Sequence, residues 1–198
     1  MKTRSKALLL SLCAVLLVAA SVLGTMAYLT SQASVTNTFT VGKVGITLDE
    51  TAVDEYGVAI KDAARRDANT YKLIPGHTYT KDPTIHVADD SEECWLFVKV
   101  VNEITAIEDS ANTIAAQMEA KGWKLIDGTT NVYGRETTNN AKDNVVVFES
   151  FKISGDVKNG ENGTLDTYAG KNIVNTAYAI QAAGFGSAEA AWNAAGLK

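Results

Sequence analysis

Cysteine, proline and histidine are nearly absent, with two of each in 198 residues. Cys13 lies in the apolar N-terminal run and Cys94 stands alone in the rest, so no internal disulfide framework is available. Cys94 heads the most apolar stretch of the chain and reads as a buried, inert thiol. A nucleophilic cysteine wants a neighbouring imidazole or cation, and His86 falls on a different predicted strand. Two histidines also leave little for a zinc peptidase, which calls for three protein ligands and a general base, most recognisably His-Glu-x-x-His. There is no Gly-x-Ser-x-Gly, no glycine loop ending in Gly-Lys-Ser/Thr, no internal repeat and no low-complexity segment. Basic charge is short as well: the net charge is −5, which argues against nucleic acid or an anionic membrane held through a basic patch.

The first 27 residues carry the three parts of an export signal in order. Lys2, Arg4 and Lys6 form a positive n-region, Ala7 to Leu23 is uncharged and mostly apolar, and Thr25-Met26-Ala27 places small residues before a cut between Ala27 and Tyr28. About 17 apolar residues is marginal for a retained span, so cleavage is expected. It leaves 171 residues with 15 basic and 23 acidic side chains, a net charge of −8, enough chain for one domain with a real core.

Beyond the cut, Phe39 and Val41 alternate with Thr38 and Thr40, then Val44, Ile46 and Leu48 alternate with Gly45 and Thr47. Period-two alternation predicts a half-buried strand, and the three-residue step from Val41 to Val44 predicts a bulge at Gly42-Lys43. Residues 28–41 read as a polar arm leading into a sheet, and residues 42–198 as one domain. Residues 49–69 read as a charged surface excursion with a short strand at Val58 and Ile60. Pro75-Gly76 has the pattern of a type II turn. His77 to Val87 reads as one extended run with Tyr79, Ile85 and Val87 inward. Trp95 to Val101, apolar on both faces except at Lys99, reads as a central strand. Asp109-Ser110 is expected to cap a helix running to Lys121, stopped by Gly122. Strands are expected at Trp123–Ile126, Val132-Tyr133, Val145 through Ile153, and Ile173–Gln181. Ser187 is expected to cap a last helix whose Trp192 packs back. The fold class is mainly β: an antiparallel β-sandwich with an inserted helix and a short C-terminal helix.

Gly24-Thr25-Met26-Ala27-Tyr28-Leu29-Thr30, followed by Asn37-Thr38-Phe39-Thr40-Val41-Gly42-Lys43-Val44, resembles the signal and first strand of the TasA/camelysin family. Ile74-Pro75-Gly76, Lys81 to Val87, Ala177 to Gln181, Gly184-Phe185 and Ala191-Trp192 add to the resemblance. It implies export by the signal peptidase SipW and a jelly-roll-like sandwich. It also implies a secreted place in biofilm matrix fibres of a Gram-positive bacterium, where one subunit's N-terminal arm inserts as a strand into the next. On this chain Phe39 and Val41 would be the anchors, and the partner would be a second copy or a related matrix subunit. Pairing of the arm within its own domain is the plainer alternative.

Camelysin-type members are described as metallopeptidases, so the resemblance also implies a metal set. His77 and His86 stand nine apart with no Glu between them, and Asp89 and Asp90 follow in an acidic turn. These four are the weak candidates, and the acidic turn reads first as a solvated loop. No cofactor and no catalytic residue is expected. A monomeric surface adhesin binding through end loops is the third class. No Leu-Pro-x-Thr-Gly motif is present, so attachment to a cell is expected to be non-covalent.

Overall fold

The computed structural model describes residues 5, 6, 8, 10–19, 42–139, 144–158 and 165–197. The chain divides into two compact units, residues 1–40 and 41–198. In the first, residues 10–19 are helical (α1), with Leu10, Leu12, Val15 and Leu17 exposed. Among the described residues no helix is long and apolar enough to cross a membrane.

The second unit is mainly β and antiparallel. Its strands are β1 (Ile46–Asp49), β2 (Thr78–Thr80), β3 (Thr84–Val87), β4 (Cys94–Asn102), β5 (Trp123–Leu125), β6 (Val132–Arg135), β7 (Asn144–Val146), β8 (Ser150–Lys152) and β9 (Ile173–Gln181). They form sheets β1-β3-β7, β2-β8 and β5-β6-β4-β9. Helix α2 (Ile114–Ala120) lies between β4 and β5, and α3 (Ala188–Ala195) follows β9.

Strand β4 explains the layering. Its even residues Leu96, Val98 and Val100 enter a core shared with Tyr79 of β2, Ile85 of β3, Val145 of β7 and Phe151 of β8. Its odd residues Trp95 and Phe97 enter a second core with Ile126, Val132 and Trp192 of α3. Apolar residues on both faces thus mean a sheet packed against strands on one side and a helix on the other, which is the central strand expected. Trp192 packs back, tilted on Phe97 at 5.1 Å and edge-on to Tyr178 at 5.5 Å. The α3 cap is Ser187, whose hydroxyl accepts from Ala190 N, and Gly196 ends the helix at φ 63°.

Several expectations need correction. The run from His77 to Val87 is two strands in two sheets: β2 pairs with β8 and β3 with β1 and β7, the break falling at Lys81-Asp82-Pro83. Proline has no N–H for a ladder, so the chain changes sheets there, while Tyr79, Ile85 and Val87 are all buried. The run from Val145 to Ile153 splits the same way into β7 and β8. Helix α2 is capped by Thr113, not Asp109-Ser110; the Asp109 carboxylate is taken by Lys152 Nζ at 2.8 Å. Val58 and Ile60 are exposed and form no strand. The extra residues near Gly42-Lys43 are absorbed on the opposite side. Ala88 N donates to Gly45 O (2.9 Å) and Glu92 N to Lys43 O (2.9 Å), with a turn between, closed by Ser91 N on Ala88 O. The Pro75-Gly76 turn stands as expected: Gly76 has φ 74° and His77 N donates to Ile74 O.

Candidate functional site

Edge strands are where a sheet can accept another strand, because half of their main-chain groups point away from their neighbour. Strand β9 pairs along its whole length with β4, from Ile173 opposite Asn102 to Gln181 opposite Cys94. Glu103 N donates to Asn172 O (3.0 Å) and Ala182 N to Glu93 O (2.8 Å), which fixes the phase of the ladder. Even-numbered residues of β9 bond to β4, and Ile173, Asn175, Ala177, Ala179 and Gln181 turn their N–H and C=O groups to the free edge. Among the described residues no strand takes up that edge. Strand β1 is likewise terminal in its sheet; Ile46 and Leu48 face its free side, and Glu50 is closed off by mutual bonds with Arg66 (2.8 and 2.9 Å).

The two edges meet where their inward side chains are half-buried. Val44, Ile46 and Leu48 on one side, and Ile173, Ala177 and Ala179 on the other, pack on the first core without being fully covered. At the Ile173 end a cavity of about 800 Å³ opens between Leu48–Glu50, residues 67–73 and residues 165–175. Ile104, Phe151, Leu165 and Tyr168 give it apolar wall.

Its polar lining is built around a buried ion pair. Lys81 Nζ lies 2.5 Å from Glu50 Oε2, with the side chains 9% and 5% exposed. Asn69 Nδ2 donates to Glu50 Oε1 (2.8 Å) and to Thr51 O (2.9 Å), and Asn69 Oδ1 accepts from Val53 N (3.0 Å). Buried charges are tolerated when paired and hydrogen-bonded in this way. The ammonium also lies 5.9 Å from the Tyr71 ring. Burial, then the Glu50 charge, push the Tyr71 phenol well above its ordinary value; it stays neutral and donates to Thr80 O (3.1 Å). Tyr71 meets Tyr79 and Phe151 edge-on, and Tyr79 stacks on Phe151 at 4.8 Å.

Beside it, Arg65 fastens the 49–69 excursion to the sheet. Its guanidinium reaches Asp49 Oδ1 (2.5 Å), Asp82 Oδ2 (2.9 Å) and Thr84 Oγ1 (2.8 Å). Burial pushes the Asp82 carboxyl up, but the Thr51 N–H and hydroxyl and the Arg65 charge more than offset it and hold it below the ordinary value. Asp49 is lowered likewise, by Arg65 and His86 against burial.

The four metal candidates are not brought together. His77 Nε2 lies 2.8 Å from Tyr56 O, and its ring stands edge-on to Tyr79. His86 is held between Asp49 Oδ1 (2.8 Å) and Asn144 Oδ1 (2.7 Å). Asp90 pairs with Lys43 at 2.6 Å on the surface, and Asp89 is exposed in the turn. Among the described residues no three His, Cys, Asp or Glu side chains converge as a metal site. Cys94 is buried and free, its thiol pushed up by burial and then by Glu93. Ala27, Tyr28, Phe39 and Val41 lie outside the described residues. Glu50, Arg65, Asn69 and Lys81 were missed as a group in the sequence, where they sit in polar stretches with no fixed spacing. No family model, no curated protein and no solved structure matches this chain.

Proposed function

We propose that this is a secreted structural protein of the cell surface or extracellular biofilm matrix that polymerises into fibres by donation of its N-terminal arm, residues 28–41. The reading rests on the resemblance of residues 24–44 to the TasA/camelysin family, with release by a SipW-type signal peptidase. The observation that carries it is the free edge of β9 beside the cavity. A strand added there would satisfy the five outward-turned residues of β9 through main-chain bonds, and its inward side chains would fill the cavity. Phe39 and Val41 are the anchors, since a buried Phe or Val stabilises by about 1.5–3 kcal/mol each. Donation to a second copy or to a related subunit is head-to-tail and does not close, so it yields filaments. The sandwich itself supplies a stable acceptor and no chemistry is asked of it.

Deleting residues 28–40 from the mature protein tests this. Filaments should vanish under electron microscopy while the circular dichroism spectrum and cooperative melting of the domain persist. Unchanged filaments from the truncated protein would refute strand donation.

A further inference from the structure

Asn175 occupies the inward face of β9 between Ile173 and Ala177, and its Oδ1 is buried with no hydrogen-bond partner among the described residues. A buried acceptor left unmet is costly and calls for a donor. Its surroundings differ on the two sides. Towards Ile173 lies the cavity, and no residue of β9 beyond Asn175 lines it. Towards Ala177 and Ala179 the side chains are small, and neither residue lines the cavity.

The arm has a matching pattern. In an extended arm the odd positions Leu29, Ser31, Ala33, Val35, Asn37, Phe39 and Val41 alternate with Tyr28 and a run of Thr, Ser and Gln at the even ones. Asn37 is the one side-chain amide on the apolar face, flanked by a small and a large apolar residue. Building on strand donation as proposed above, we infer the register: the arm of a second copy adds antiparallel to β9, with Asn37 against Asn175, Phe39 beside Ile173 in the cavity, and Val35 beside Ala177. Asn37 Nδ2 donates to Asn175 Oδ1, the largest side chain goes where there is space, and the smaller one goes beside the alanines, outside the cavity. Cross-strand neighbours stand about 4.5–5.5 Å apart between Cβ atoms, close enough for each of these contacts.

This register excludes the chain's own arm. Gly42 lies at the far end of β9, where an added Cβ would come 2.8 Å from Gln181 Nε2. From Ile173 to Gln181 is eight residues of strand, about 26 Å. From Phe39 to Gly42 is three residues, spanning at most about 11 Å. An arm leaving at the Gln181 end cannot return to set Phe39 beside its own Ile173, whereas a neighbour's arm can enter there. Parallel pairing, with Phe39 beside Ala179, is the arrangement the chain's own arm could reach.

Disulfide trapping separates the two. In the mature protein, whose Cys94 is buried, Phe39→Cys with Ile173→Cys should give a ladder of covalent multimers on a non-reducing denaturing gel after mild oxidation. Phe39→Cys with Ala179→Cys should give none. Val35→Cys with Ala177→Cys keeps Phe39 in place and should give the same ladder. A compact cross-linked monomer from Phe39→Cys with Ala179→Cys, and no ladder from the other pairs, would overturn the register and strand donation together. A ladder from that pair instead of the other two would overturn the register and leave donation standing. The absence of every cross-link from protein that still forms filaments would also overturn the register alone.

Discussion

Replacing Lys81 by alanine would strand the Glu50 carboxylate inside the protein. Both side chains are at least nine-tenths buried and lie 2.5 Å apart. Removing one partner of such a pair typically costs about 3–5 kcal/mol, because the remaining charge keeps its desolvation penalty and loses its counter-charge. Asn69 still donates to Glu50 Oε1, which points to the lower end of that range. For a domain of this size the loss corresponds to a melting temperature lower by about 6–20 °C. The double variant Glu50→Gln/Lys81→Met removes both charges at similar volume and should recover most of the loss, since well-packed neutral replacements of buried pairs are often neutral or better. Urea unfolding of the wild type, Glu50→Gln, Lys81→Met and the double variant gives the coupling energy directly. A loss below about 1 kcal/mol for Lys81→Ala, or a double variant no better than the single one, would refute the pair as a buried, coupled unit.

Two further perturbations follow from local geometry. Asp49 and Asp82 both titrate below their ordinary value of 3.8 in the folded protein. The stability they contribute is therefore present above that value and lost as pH falls through the lowered one. Arg65→Ala should flatten the acid limb of the stability–pH curve below about pH 4, and an acid limb of unchanged steepness would contradict the clamp. Gly57 has φ 76°, and a Cβ there would stand 2.8 Å from Tyr79 Cα. Gly57→Ala should cost about 2 kcal/mol or more in urea unfolding, through left-handed strain together with a clash against backbone; a loss within about 0.5 kcal/mol would show that the approach is not tight.

What the sequence reveals here follows from where the physics is local. β4 and β9 were legible because nine-residue strands carry their own periodicity, and the two-sided burial of β4 is written in Trp95 to Val98, although Val101, apolar as well, is exposed. The helix stop at Gly122 and the turn at Gly76 were legible because positive φ selects glycine. The sheet changes at Lys81–Pro83 and between Val146 and Ser150 were not, since each run reads as one strand until its partners are known. The α2 cap is Thr113 rather than Asp109, whose side chain accepts from Ala111 N and pairs with Lys152, 43 residues away. The candidate site was least legible. Glu50, Asn69, Lys81 and Asn175 have no motif in common, and their meeting depends on strand order and on the fold of residues 49–69.

The most direct test of an edge that accepts a donated strand is to return the strand. The truncated domain, residues 42–198, should be titrated with a synthetic peptide of residues 28–41 while its melting temperature is followed. The account predicts a concentration-dependent rise, as for any ligand that binds only the folded state, abolished in a peptide carrying Phe39→Ala. A melting temperature that stays fixed at saturating peptide, or rises equally with the Phe39→Ala peptide, would contradict it.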